Sequence, residues 1–205
     1  MIAHMNWKQY WSEQAAGRKT ILSLFDFSGN WSKPYRDAGY QVIQIDIKLA
    51  MDVMTLDTDD LPEIHGVLAA LPCTDFAVSG ARWFKAKDAD GRTAYSLMLL
   101  DRTLEIIDAV APQWWAMENP VGRIARLRPE LGGPVMYFQP CDFGEPYTKK
   151  TGLWGTFNTD MKRTPVEPTE GSKMWAKYGG KSERTKTARS LTPMGFSRAF
   201  FEANQ

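Results

Sequence analysis

The chain has 205 residues, 43% hydrophobic and 24% charged, with a net charge of +1. That length suits one domain with a sizeable core, and the near-neutral balance excludes a global electrostatic footprint for nucleic acid, so any such contact must come from a local patch. Two cysteines exclude a disulfide framework and fit a reducing, cytoplasmic setting, and no apolar run approaches the roughly 18 residues of a membrane span.

Near the start, Trp7, Lys8, Tyr10, Trp11 and Glu13 make an amphipathic pattern, unlike the apolar centre of a signal peptide. Residues 20–25 are strand formers, Ser28-Gly29-Asn30 turn the chain, and 31–39 predicts a helix that Gly39 stops. Residues 41–46 predict a second strand ending in Asp46, which completes a strand–turn–helix–strand unit of the Rossmann type. Residues 66–71 predict a buried strand running into Pro72-Cys73. The polar stretch 80–91 is long for a tight connection and reads as a loop able to move. Residues 93–110 predict a helix with Leu97, Leu100, Leu104 and Ile107 on one face. Residues 114–117 predict a strand that delivers Glu118, 135–138 and 153–157 two late strands at the edge of the sheet, and 196–203 a terminal helix. Strands alternating with helices give a single α/β domain, Rossmann-like, with a mostly parallel sheet and helices on both faces.

Residues 158–192 stand apart. Lys162, Arg163, Lys173, Lys177, Lys181, Arg184, Lys186 and Arg189 outnumber Asp160, Glu167, Glu170 and Glu183, with Trp175 and Tyr178 among them. Cations interleaved with aromatics suit phosphate contact and base stacking; a solvated surface excursion accounts for the charge equally well.

Ligands of open α/β sheets bind outside the C-terminal ends of the strands. Asp26, Asp46, Cys73 and Glu118 all fall at such predicted ends. A lone cysteine is most often a small buried hydrophobe, and Cys141 is read so. Cys73 differs because it follows Pro72 at a strand end and precedes a polar stretch, where backbone N–H groups and a cation favour a thiolate. Glu118 follows four apolar residues, so burial is expected to raise its pKa and let it donate a proton at neutral pH. Asp46 lies 20 residues after Asp26, a spacing that suits an acid receiving ribose hydroxyls. The turn 25–30 holds one glycine, which is not the dinucleotide fingerprint and argues against a nicotinamide cofactor. The two histidines are too few for a triad or a metal centre, and no metal-ligand spacing appears.

Taken together, these residues resemble the cytosine-5 DNA methyltransferase family. Leu24-Phe25-Asp26-Phe27-Ser28-Gly29 is similar to its first motif, beneath the methionine part of S-adenosylmethionine. Asp46 matches the acid on the ribose, and Met51-Asp52-Val53 resembles a motif whose acid reads the adenine amino group. Leu71-Pro72-Cys73 through Ser79-Gly80 resembles the Pro-Cys nucleophile motif, and Glu118-Asn119-Pro120 the Glu-Asn-Val motif. Asp142-Phe143-Gly144-Glu145-Pro146-Tyr147-Thr148-Lys149 and the segment 192–203 resemble the two closing motifs. The resemblance implies S-adenosylmethionine as cofactor, held by Phe25, Asp26, Ser28, Gly29, Asp46, Ile47, Asp52 and Pro72. It implies Cys73 as the thiolate, Glu118 as the proton donor to cytosine N3 and Asn119 as the group orienting that acid. Ser79, Arg82, Lys149 and Thr151 are the implied substrate contacts.

The chain departs from the family at three places. Phe27 and Asn30 replace glycines of the first motif. Lys149 and Thr151 stand where the family has Arg-x-Arg. The large target-recognition domain is replaced by the basic stretch 158–192. The expectation is a minimal, phage-like enzyme in the host cytoplasm, acting on DNA, with sequence recognition weakened, absent or supplied by a protein partner. Two readings stay open beside it. One is the same chemistry on a free cytosine nucleotide or RNA. The other is a non-catalytic accessory protein that binds S-adenosylmethionine or DNA.

Overall fold

A computed structural model describes residues 6–172 and 190–205. Its centre is one six-stranded sheet of β1 (Thr20–Leu24), β2 (Gln41–Ile45), β3 (Gly66–Ala70), β4 (Trp114–Pro120), β5 (Met136–Phe138) and β6 (Thr151–Thr156), in the order β2-β1-β3-β4-β6-β5. The first four strands run parallel, and β6 runs antiparallel between β4 and β5. The architecture is the expected α/β one. Of the two late strands expected at the edge, only β5 is there. β6 is interior, and its residues from Thr151 to Trp154 are buried.

Among the described residues six helices surround the sheet: α1 (Trp7–Ala15), α2 (Lys33–Asp37), α3 (Phe84–Ala89), α4 (Arg92–Val110), α5 (Ile124–Leu127) and α6 (Met194–Ala203). Strand side chains alternate between two cores, as the two-residue period of a strand requires. Leu22, Leu24, Ile43, Ile45, Val67, Ala69 and Met117 meet Leu99, Leu100, Ile106 and Ile107 of α4 on one face. Ile21, Leu68, Ala116 and Leu153 meet Trp31, Tyr35, Phe196 and Phe200 of α2, its approach and α6 on the other. Each such apolar side chain contributes about 1.5–3 kcal/mol when fully buried. All five residues of β1 are buried because helices cover both of its faces. Tyr35 Oη donates to the Asn204 carbonyl at 2.8 Å, which pins the end of α6 to α2.

Two sequence expectations are corrected. The buried face of α4 is centred on Ser96, Leu99, Leu100, Thr103, Ile106 and Ile107, with Leu97 and Leu104 at its margin. The stretch read as a loop at 80–91 lies mostly in helical structure, a 3₁₀ turn over Val78–Trp83 followed by α3. Long-range contacts hold it there, above all Lys87 against Asp75 and Arg123 against Phe84. The basic stretch expected at 158–192 falls largely outside the described residues: Lys173, Trp175, Lys177, Tyr178, Lys181, Arg184, Lys186 and Arg189 are not among those described. No described helix is long and apolar enough to cross a membrane.

Candidate functional site

The strand order reverses between β1 and β3: from β1 the chain goes outward to β2, and β3 returns to the other side of β1. At such a switch point the turns leaving the two strands diverge and open a crevice at their C-terminal ends. The turn 25–30 leaves β1 here and Pro72-Cys73 leaves β3. The register places the other predicted residues on the same rim. Leu24 pairs with both Ile45 and Ala69, and Ala70 pairs with Glu118. Because β6 is antiparallel, its first residue, Thr151, pairs with Pro120 and arrives at this rim too.

The β1 side of the crevice is a rigid turn. Phe25 adopts φ +60°, a left-handed conformation that is rare for a bulky residue, and its N–H donates to the Ile45 carbonyl at 2.8 Å. Asp26 is buried with its carboxylate turned inward. It accepts from Ser23 Oγ, Ser28 Oγ, Ser32 Oγ and Ser32 N–H at 2.9–3.2 Å. Asp26 therefore shapes the turn. Gly29, at φ +68°, completes the bend, and a Cβ there would stand 3.1 Å from the Gln44 amide. Asp46 and Asp52 each use one carboxylate oxygen to cap the 3₁₀ turn that follows, through the N–H groups of Lys48 and Met54. Beside Asp46, Ile47 is 70% exposed and Phe27 43%, unusual for large apolar side chains. No Lys or Arg lies between Thr20 and Ser32. Carboxylates beside exposed apolar faces suit a nucleoside, with Lys48 over the Phe27 ring and Arg36 beside Gly29 as the cations nearby. S-adenosylmethionine, a nucleoside sulfonium, fits that donor set.

On the β3–β4 side, Cys73 is half-buried, and its carbonyl accepts the N–H groups of Phe76 and Ala77 in a tight turn. β4 continues through Pro120, so Glu118 lies within the strand rather than beyond it. It is only 5% exposed, and burial pushes its carboxyl above the ordinary range; the charge of Lys149 opposes this and that of Asp26 adds to it. Asn119 is fully buried, and its Nδ2 donates to the Leu71 carbonyl at 2.9 Å. That bond ties the end of β4 to the residue two before Cys73, so among the described contacts Asn119 holds the turn that carries Cys73. Lys149 is buried near Glu118, whereas the Thr151 hydroxyl donates to the Lys149 carbonyl at 3.0 Å and shapes the strand start. Ser79 and Arg82 are exposed on the 3₁₀ turn, with the Arg82 guanidinium over the Trp83 ring.

Sequence reasoning missed the brace beneath Cys73. Arg123 Nε donates to the Asp75 carbonyl at 3.0 Å, Nη1 to Asp88 at 2.9 Å and Nη2 to the Thr93 hydroxyl at 2.7 Å, and the guanidinium stacks 3.8 Å from the Phe84 ring centroid. The hydrogen bonds from Arg123 and Thr93 hold the Asp88 carboxyl below the usual range. The buried Lys87 ammonium pairs with Asp75 at 3.3 Å and donates to the Thr74 carbonyl, and Ser96 Oγ donates to Asp75 at 2.7 Å. The only local sign was Arg123 itself, three residues beyond Pro120 in a segment free of acids.

No family model matches this chain, and no curated protein matches it. Among solved structures it is similar to an E. coli chain assigned as a DNA modification methyltransferase encoded within a prophage, at 16% identity and a TM-score of 0.44. The match covers 67% of this chain and 46% of that one, so the chain spans less than half the length of that structure. A likeness of that depth identifies no reaction, and the functional reading rests on this chain's own residues.

Proposed function

We infer that the chain is a single catalytic domain that transfers a methyl group from S-adenosylmethionine to C5 of cytosine in DNA, through a covalent bond to Cys73. The observation that carries the reading is a thiol and a buried acid at one rim, joined through Asn119 and Leu71, with burial raising the acid's pKa. C5 of cytosine is a weak nucleophile, and chemistry at that carbon needs such a pair. The Cys73 thiolate forms a bond to C6 while Glu118 delivers its proton to N3, so the charge that develops on the ring is neutralised and electron density moves to C5. Bound against Asp46, Ile47 and Asp52, S-adenosylmethionine supplies an electrophilic methyl group. Loss of the C5 proton to water, cleavage of the S–C6 bond and return of the N3 proton to Glu118 then restore Cys73, Glu118 and the aromatic ring. Burial of Glu118 raises its carboxyl above the ordinary range, the direction this role requires. Lys149, buried beside it, balances the carboxylate left after proton donation.

The test is transfer of tritiated methyl from S-adenosylmethionine to duplex DNA, single-stranded DNA, RNA and dCMP in parallel, with Cys73→Ala as control. Label in DNA that vanishes in the variant is the expected result. Label in dCMP alone moves the reaction to the nucleotide pool, and no label in any acceptor overturns the enzyme reading.

A further inference from the structure

Two exposed aromatic rings flank this rim, and each carries a cation. Trp83, 54% exposed, lies under the Arg82 guanidinium, 5.3 Å from the ring centroid. Tyr137, 46% exposed on the edge strand β5, lies under the Lys150 ammonium at 4.9 Å. The two pairs are tied to one backbone point just past Glu118. The Val78 N–H donates to the Val121 carbonyl at 2.9 Å, and the Val121 N–H donates to the Lys150 carbonyl at 3.0 Å. Val78 and Val135 add exposed apolar surface beside each ring.

The segments around the two rings are rich in cations, with Asp75, Asp88, Glu130, Glu145 and Asp160 at their borders. The segments 76–87, 121–129 and 146–159 hold Arg82, Lys85, Lys87, Arg123, Arg126, Arg128, Lys149 and Lys150, with no Asp or Glu. Lys87, Arg123 and Arg128 pair with acids from elsewhere; Arg82, Lys85, Arg126 and Lys150 have no ion pair among the described residues. Arg82 and Lys150 thus stand over exposed rings with no ion pair among the described residues. Cations that track a phosphate backbone, together with rings open on one face, are the combination that binds unpaired bases by stacking.

We propose that this face binds a single-stranded polynucleotide, with bases flanking the target stacked on Trp83 and Tyr137. The proposal rests on the reading above, since it supplies the acceptor for that site, and it makes unpaired DNA the preferred form of that acceptor. Stacking accepts any base, so the flanking contacts carry little sequence preference.

The experiment is fluorescence anisotropy of a labelled 12-mer of thymidine, its duplex with a complementary strand, and unlabelled dTMP as competitor, with no methyl donor present. Thymine lacks the reactive group, so the measurement is independent of methyl transfer. The single strand should bind more tightly than the duplex, dTMP should compete poorly, and affinity should fall as salt rises. Trp83→Ala and Tyr137→Ala should each weaken single-strand binding by roughly 5- to 150-fold, while Trp83→Phe, which keeps a ring, should retain most of it. Unchanged thermal midpoints would show that the variants fold. Binding within two-fold of the parent in both alanine variants, or equal loss in Trp83→Phe and Trp83→Ala, overturns the platform even where DNA is methylated. Ring-dependent binding in a chain that methylates nothing leaves the platform standing and removes the enzyme.

Discussion

Arg123→Met would remove the brace under Cys73 while keeping an apolar stem of similar length. The Asp75 carbonyl would lose its buried donor, at a cost of about 1–3 kcal/mol. The stack on Phe84 would add about 1 kcal/mol. The Asp88 end should matter least, because that side chain is 51% exposed and water can replace the guanidinium. The expected loss is therefore about 2–4 kcal/mol. At roughly 2–4 °C per kcal/mol for a chain of this size, the thermal midpoint should fall by about 4–16 °C. Urea denaturation followed by circular dichroism measures the loss directly, provided the slope is unchanged. Arg123→Lys is the informative companion. It keeps a charge beside Asp88 but loses the planar fork and the stack, so most of the destabilisation should remain. A loss below about 1 kcal/mol in Arg123→Met, or recovery of full stability in Arg123→Lys, would refute the reasoning, since the ion pair rather than the grip on Asp75 would then be what matters.

Glu118→Gln should lower methyl transfer by about 10²–10⁴-fold yet raise the thermal midpoint at neutral pH. Burial raises the Glu118 carboxyl above its unfolded value, so the native chain holds that proton more tightly, and stability is lost as pH rises from the ordinary carboxylate range through the raised value. The midpoint gap between variant and parent should accordingly close when melts are repeated at acid pH. Asp26→Asn offers one acceptor oxygen where two serve four donors, so calorimetry should show a loss of about 1–3 kcal/mol with weaker S-adenosylmethionine binding. Gly122→Ala would place a Cβ 2.1 Å from the Phe76 carbonyl oxygen. It should destabilise the chain by about 1–3 kcal/mol or more and cut single-strand binding, because it pushes apart the segments that carry Val78 and Val121.

The sheet was legible because its strands are short apolar runs punctuated by Gly, Pro and Asp, a local signal. Asp46, Cys73 and Glu118 were legible for the same reason: a polar residue closing an apolar run falls at a strand end, and parallel strands gather their ends on one rim. What escaped sequence reasoning depends on contacts across the fold. Residues 80–91 look like a loop because Lys87 and Arg123 find their partners in other segments. The internal bonds of Asp26 could not be read from sequence because the spacing of Ser23, Ser28 and Ser32 does not show that they converge on it. The basic stretch 158–192 is conspicuous because its charges are contiguous, whereas Arg82 and Lys150 lie 68 residues apart and only the fold relates them through Val78, Val121 and Lys150.

The strand order also sets a length. Asp46 leaves β2 and Glu118 sits on β4, three inter-strand steps apart through β1 and β3, which at ~4.8 Å per step is about 14 Å. No single base or sugar spans that width, so in the proposed reaction Asp46 meets the nucleoside of the methyl donor and Glu118 the target base. A compound joining a nucleoside to a pyrimidine through a linker cut to that distance would occupy both half-sites at once. Its affinity would then report their true separation, because a linker too short or too long forfeits the gain from tethering.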